Sequence, residues 1–450
     1  MNSLVDVAII HTDRNERQSI AARLGARGKM TRKDVTERTA EIVEAVRREG
    51  DAAVLRYTRE FDSVNLAPEQ LIVSESEISA AFDATSPELI EVLREAAANI
   101  TCFHKAQIQP PVELDDGKGA RVALLTRPLD LVGIYVPGGT APLPSSVLMN
   151  ALPAKAAGVR RIVMCTPPRP DGSIAPAILA AASLAGVDSI YKVGGAQAIA
   201  ALAYGTAIIP AVDKICGPGN IYVNSAKRLV FGHCDIDMFA GPSEILIVAD
   251  ESANPAFLAA DMLSQAEHDR LASAVLITTS AQIASETAAE IQRRAQLMPR
   301  AEILAASLRD YAAILVVPSL EDACAFANEL APEHLELCVN EPENLVDQIR
   351  NAGAIFLGHY SPEALGDYFA GPNHILPTSG TARFFSPLHT ADFQKKISLI
   401  DYSRSALESC WEKIALFAEA EQLTCHAESV RVRFDQALAD AGQRSSKEAQ

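Results

Sequence analysis

Gln265-Ala266-Glu267-His268 puts an amide and an imidazole three residues apart near the end of an apolar helix pattern. Side chains at that spacing share one helix face and can turn toward one ligand. Far downstream, Pro332-Glu333-His334 sets a carboxylate beside an imidazole, the minimum equipment for moving protons. Together the two clusters point to a metal site coupled to acid/base chemistry, although each alone is equally a polar helix end or a surface turn. Adjacent residues entering a strand point apart, so Glu333 and His334 flank one centre only if their turn twists. Two more groups fit the same chemistry: Gly366-Asp367-Tyr368 with Gly371-Pro372-Asn373-His374, in a loop region, and His426 beside Cys425 on a C-terminal helix. One amide oxygen, two imidazoles and one carboxylate make a nitrogen and oxygen donor set. Zinc accepts such donors, but Gln is an uncommon ligand, so manganese and cobalt stay open. A single carboxylate leaves the site net positive and suited to a substrate that brings nitrogen donors of its own.

The elements that must position these residues belong to a chain of 450 residues, 48% hydrophobic and 22% charged, long enough for two or more domains with large apolar cores. The formal charge of -17, with no dense Lys/Arg cluster, argues against a nucleic-acid surface and toward small-molecule partners. Met1 to Lys29 lacks a signal-peptide pattern, and no apolar run reaches the length of about 18 residues that a membrane helix needs, so no membrane partner and a cytoplasmic location are expected. Eight cysteines without a CxxC pair indicate neither a disulfide framework nor a thiolate zinc site; they are expected to be mostly buried, reduced thiols.

From Leu131 to about Gly241, β-branched runs alternate with Ala-rich helical segments, the signature of a parallel sheet with right-handed crossovers. The strands read Leu131–Val136, Arg161–Cys165, Ser189–Val193 and Val212–Cys216, each followed by turn chemistry: Pro137-Gly138-Gly139, Pro167-Pro168, Gly194-Gly195 and Gly217-Pro218-Gly219. In a doubly wound sheet these turns share the carboxyl edge, where ligands bind. A second α/β module follows, with strands at 244–249, 274–278, 313–317, 335–339 and 354–357. Its helices are signalled by Asn254-Pro255, by Ser280 to Gln296, by Ser319 with Asp322, and by Glu343 to Asn351. Thr31 to Lys105 reads as helical and is expected to pack on this second module. After Pro387 the pattern is helical again.

These residues bring a family into view: the chain closely resembles histidinol dehydrogenases over nearly its whole length. The matching stretches are Tyr57-Thr58-Arg59-Glu60-Phe61-Asp62, Tyr135-Val136-Pro137-Gly138-Gly139, Gly194-Gly195-Ala196-Gln197-Ala198-Ile199, Gly217-Pro218-Gly219-Asn220, Ala240-Gly241-Pro242-Ser243-Glu244, Gln265 to His268, Ala331 to Leu335 and Gly366-Asp367-Tyr368. The resemblance implies oxidation of L-histidinol to L-histidine in two NAD-dependent steps through the aldehyde, with one Zn2+ per subunit. It implies two Rossmann-like doubly wound parallel-sheet domains with small helical N- and C-terminal extensions, in an intertwined homodimer with shared active sites. Carried over by position, Gln265, His268, Asp367 and a second subunit's His426 would hold zinc. Glu333 and His334 would be the acid/base pair, Ser243, His374 and Glu421 would join them and the zinc residues around the substrate, and Tyr135, Gln197 and Asn220 would contact NAD. No GxGxxG is present, so the usual dinucleotide fingerprint misses this site.

The implied domains are an N-terminal helical arm over 1–30, a first α/β domain over 31–130 plus 242–387 with the metal and catalytic residues, an NAD-binding domain over 131–241, a C-terminal helical domain over 388–438 that reaches the partner, and a flexible tail over 439–450. Two positions depart from the family pattern: Arg270 stands where many members have Pro, and Gln422 replaces a common Gly. Other readings are a related zinc and NAD dehydrogenase of another alcohol or amino alcohol, a zinc hydrolase using Glu333, and a silent NAD-binding protein. Glu421 and His374 favour histidinol.

Overall fold

The computed structural model describes residues 7–11, 14–27, 33–138 and 142–435. Gly139 of the first expected turn, parts of the expected arm over 1–30 and the whole tail over 439–450 lie outside the described residues. The chain forms two compact units, Met1–Ile108 with Pro128–Phe393 and Gln109–Arg127 with Gln394–Gln450.

The chain begins with β1 (Ile9–His11), α1 (Arg14–Ala26), α2 (Lys33–Glu49), α3 (Asp51–Asp62), α4 (Glu75–Ala84) and α5 (Pro87–Ala106). Their starts follow from their sequences. Ser74 and Glu77 form a reciprocal capping box on α4, while Ser86 accepts from the Leu89 N–H with Pro87 in the first turn of α5. A hairpin follows, β2 (Val112–Asp115) paired antiparallel with β3 (Ala120–Pro128).

The first parallel sheet is built from β4 (Leu131–Tyr135), α6 (Pro144–Ala157), β5 (Arg161–Thr166), α7 (Pro176–Leu184), β6 (Ser189–Lys192), α8 (Gly195–Tyr204), β7 (Lys214–Cys216), α9 (Ile221–Val230) and β8 (Asp235–Ile236). Its strand order is β6-β5-β4-β7-β8. Strand alternation divides the core: Val132, Ile134, Ile162 and Met164 pack with α6 and α7, while Val163, Cys165 and Ile215 pack with α8 and α9. Helices α2 to α5 pack here and not on the second module as expected, α2 and α3 against α8, α4 against α7, and α5 against α6. The reason lies in α8, where every residue from Ala196 to Ala203 is buried. A helix with no polar face needs cover on its outer side as well as from the sheet.

The second sheet uses β9 (Glu244–Ala249), α10 (Pro255–Ala266), β10 (Ser273–Thr278), α11 (Ala281–Ala295), α12 (Ala301–Tyr311), β11 (Ala312–Val316), α13 (Leu320–Leu330), β12 (His334–Cys338), α14 (Glu343–Val346), β13 (Ala354–Leu357) and then α15 (Glu363–Tyr368). The order is β1-β11-β10-β9-β12-β13, all parallel. With β1 set aside, this is the order of the first sheet.

The smaller unit holds the three-stranded sheet β14-β3-β2, with β14 at Gln394–Tyr402, then α16 (Arg404–Glu408), α17 (Trp411–Ala420) and α18 (Thr424–Arg431). The expected helical run from 388 is therefore corrected: after one short 3-10 turn at Thr390–Phe393, a nine-residue strand precedes the α-helices. None of its residues is buried, so backbone pairing and not apolar periodicity defines it. No helix among the described residues is long and apolar enough to cross a membrane.

Two local features carry energetic consequences. Gly217 has φ 115, and a Cβ there would collide with the Tyr135 carbonyl oxygen, so only glycine fits. Its N–H donates to Asp237 Oδ2 at 2.7 Å and its carbonyl accepts from Lys227 Nζ at 2.5 Å, while Lys227 and Asp237 pair at 2.6 Å with both side chains 1% exposed. Gln422 takes φ 61 between α17 and α18. Lys227→Met should cost about 3–5 kcal/mol in urea unfolding, because Asp237 would stay buried without its partner. Gln422→Gly should raise stability by about 0.5–1 kcal/mol in the same measurement by relieving the left-handed backbone.

Candidate active site

Proline 332 fixes where α13 ends. It bars right-handed helix for its predecessor, and Ala331 accordingly takes φ 50 as the helix cap. Glu333 then leads directly into β12, whose first residue, His334, lies opposite Ile245 of β9 and Ala354 of β13. That register sets both side chains against the backbone of Glu244. Glu333 Oε2 accepts from the Glu244 N–H at 2.8 Å, and His334 Nδ1 lies 3.0 Å from the Glu244 carbonyl oxygen. A carbonyl only accepts, so Nδ1 carries the proton and Nε2 is the free nitrogen of the neutral ring. Nε2 has no hydrogen-bond partner and stands 3.6 Å from Asp367 Oδ1. The surface-turn alternative does not hold, since both residues are buried.

Burial pushes the Glu333 carboxyl up to about 8, against the pull of His334 and the Glu244 N–H. Burial alone would lower His334, but the carboxylates of Glu333, Asp367 and Glu363 outweigh it and hold the ring at about 10. With Asp367 committed to a cation, His334 would lose part of that anionic field and move toward the neutral form a base requires.

The metal-ligand candidates gather beside this pair. Asn254 caps α10 with Pro255 in its first turn, and the buried Leu258 and Met262 anchor it. Gln265 falls in the last turn and His268 in the turn beyond. Gln265 is fully buried, yet neither atom of its amide has a partner, an arrangement that costs free energy unless a ligand completes it. Donor atoms of His268, Glu363 and Asp367 lie within 4.8 Å of one another. His268 is exposed, although lost hydration still lowers its pKa and favours the neutral, metal-binding ring. The donor set, with the orphaned amide, fits a divalent cation such as zinc.

Glu363 is the residue that sequence reasoning missed. Its signal was its place four before Asp367 on α15, one turn away on the same helix face as an already suspected ligand. Its presence corrects the expected net positive site, since two carboxylates now stand in the cluster. A buried acidic network supports it: Glu363 Oε2 accepts from Ser264 Oγ at 2.9 Å, and Glu336 Oε1 accepts from the Glu363 N–H at 2.8 Å. Burial raises Glu363 to about 7 and Asp261, which also bonds Glu336, to about 6.

A cavity of about 220 Å³ is lined by His334, Asp367, Asn373 and His374. His374 Nδ1 lies 3.0 Å from the Asp367 carbonyl oxygen, and Ser243 precedes β9 immediately. Glu421 and His426 belong to the smaller unit, at the end of α17 and on α18, both exposed. The remaining candidates line the carboxyl edge of the first sheet. Tyr135 Oη accepts from the Gly195 N–H at 3.1 Å, Gln197 is buried with both amide atoms unpartnered, and Asn220 caps α9 through the Tyr222 and Val223 N–H groups. All eight cysteines are free, five of them buried. Cys216 is among these, and burial raises its pKa so far that it stays a neutral thiol, unlike a nucleophile.

The family model described as histidinol dehydrogenase matches residues 25–434. A histidinol dehydrogenase of Caldanaerobacter subterraneus subsp. tengcongensis is 52% identical over 408 residues, 91% of this chain and 94% of the relative. One from Bacillus cereus is 54% identical over 396 residues, 88% and 92% of the two chains. The crystal structure of histidinol dehydrogenase from Elizabethkingia anophelis superposes with a TM-score of 0.90 at 39% identity, covering 96% of this chain and 99% of that one. Sequence and fold converge, and the chain belongs to the histidinol dehydrogenase family.

Proposed function

We propose that this chain oxidises L-histidinol to L-histidine in two successive NAD-dependent steps through the aldehyde, as a cytoplasmic homodimer with one zinc ion per subunit. The observation that carries the reading is the pairing of two buried bases, Glu333 and His334, with the cluster of Gln265, His268, Glu363 and Asp367 beside them. Gln265, His268 and Asp367 would hold the metal with His426 from the partner subunit. When bound, zinc holds the substrate's imidazole and amine in place and NAD accepts hydride.

The chain's own residues supply the rest. Nδ1 of His334 is occupied by the Glu244 carbonyl, so Nε2 takes the hydroxyl proton in the first oxidation. Glu333 then draws a proton from the water that attacks the aldehyde, a task for its ionised form. Because its pKa is raised to about 8, this second half slows as pH falls below that value. Ser243, His374 and Glu421 would line the substrate. Tyr135, Gln197 and Asn220 would receive NAD at the crevice between β4 and β7, where strand order reverses.

The wild-type enzyme with L-histidinol should form two NADH per substrate consumed. Glu333→Gln should retain the first hydride transfer but lose acid formation, giving one NADH and trappable aldehyde in single-turnover experiments. Absence of NADH with L-histidinol, alongside turnover of another alcohol, would replace the substrate. A shared site is tested by mixing His426→Asn with a Glu333→Gln/His334→Asn double variant: heterodimers should regain activity at one of two sites, and verified mixing without rescue would sink the shared arrangement.

A further inference from the structure

Glu244, whose backbone holds both bases, is itself anchored through its side chain. Glu244 Oε1 accepts from Arg27 Nη2 at 2.6 Å, and the two side chains are 9% and 2% exposed. The remaining guanidinium hydrogen bonds go to backbone carbonyls: Arg27 Nη1 donates to Leu271 at 2.6 Å and Nε to Leu24 at 3.1 Å. The Tyr311 ring lies 5.5 Å from the guanidinium. Arg27 is thus tied at once to α1, to the approach to β10 and to the first residue of β9. Burial weakens both charges, lowering Arg27 and raising Glu244. A buried ion pair adds little net stability compared with apolar packing, so its worth lies in what it orients.

We propose that Arg27 is a positioning residue for the acid/base pair: by fixing the Glu244 side chain it sets the direction of the Glu244 N–H and C=O, which in turn aim Glu333 and His334. The inference rests on the roles given to those two residues above. Arg27 acts from behind, not from the substrate side. It lines a separate cavity of about 320 Å³ with Glu244, Ser273, Ser379 and Arg383, which shares no lining residue with the cavity of His334 and Asp367. The effect is one of aim, and small misplacements of a catalytic group cost about a hundredfold in rate. The same cavity gives an added guanidinium ion a route to the space that a truncated Arg27 would vacate.

Full-length Arg27→Ala, Glu244→Gln and the double variant should be compared with wild type, using L-histidinol and NAD. Each single change should lower kcat about ten- to a hundredfold, with KM for L-histidinol within about threefold. Millimolar guanidinium chloride should restore part of the kcat lost in Arg27→Ala but not in Glu244→Gln. The double variant should be no slower than the worse single, because the two residues act through each other. Unchanged kcat in Arg27→Ala, a loss confined to KM, or losses that multiply in the double variant would overturn the proposal. If Arg27→Ala does not fold, Arg27→Lys takes its place, since it keeps the charge but loses the fork; wild-type kcat in both Arg27→Lys and Glu244→Gln would be equally fatal. The His334 Nδ1–H signal in 15N-histidine spectra reads the same hydrogen bond without turnover. It should move in the Arg27 variant, and an unmoved signal refutes the positioning role even if L-histidinol proves not to be the substrate.

Discussion

The register in which β12 meets β9 governs the site. His334 opposite Ile245 brings Glu333 and His334 to the backbone of a single residue, Glu244, whose N–H and C=O each take one of them. A slip by one residue would turn His334 to the other face of the sheet. The same strand period sends Glu336, two residues on, to the face of His334, where it accepts from the Glu363 N–H. One strand thereby links the Glu333 and His334 pair to Glu363 and its carboxylate cluster, and side-chain alternation is the ruler that spaces them.

The two sheets share a strand order but present opposite edges to chemistry. The first gathers Tyr135, Gln197 and Asn220 at its carboxyl edge, where α8 and α9 begin. Helix starts, the positive ends of the helix dipoles, favour anions such as nucleotide phosphates. The second places its candidates at the amino edge, where α10 and α13 end. Carbonyl-rich helix ends favour cations, and Gln265 and His268 stand at such an end. The charge preference of each edge therefore follows the polarity of the helices, not a difference in topology.

Much of this was legible in the sequence because the signals are local. The strands of both modules, the caps at Asn254 and Ser319 and the stop at Ala331 depend on a few neighbouring residues. Gln265, His268 and Asp367 stood out through spacing and through resemblance. Glu363, Glu244 and Arg27 did not, because a charged residue reads as surface until tertiary packing buries it beside a partner. Strand β2 alternates over only four residues, and β14 opens on a polar run and buries nothing, so neither stands out, and the docking of α2 to α5 depends on which Ala-rich helices lack cover.

His334 is paired on both sides, by β9 and by β13, in the interior of a six-stranded sheet. Its backbone cannot fray as a loop would, and the opening that exposes it to exchange with solvent is the opening of the sheet itself. Heat inactivation and loss of the core should then be one event, and enzymatic activity becomes a direct gauge of how much of the protein remains folded.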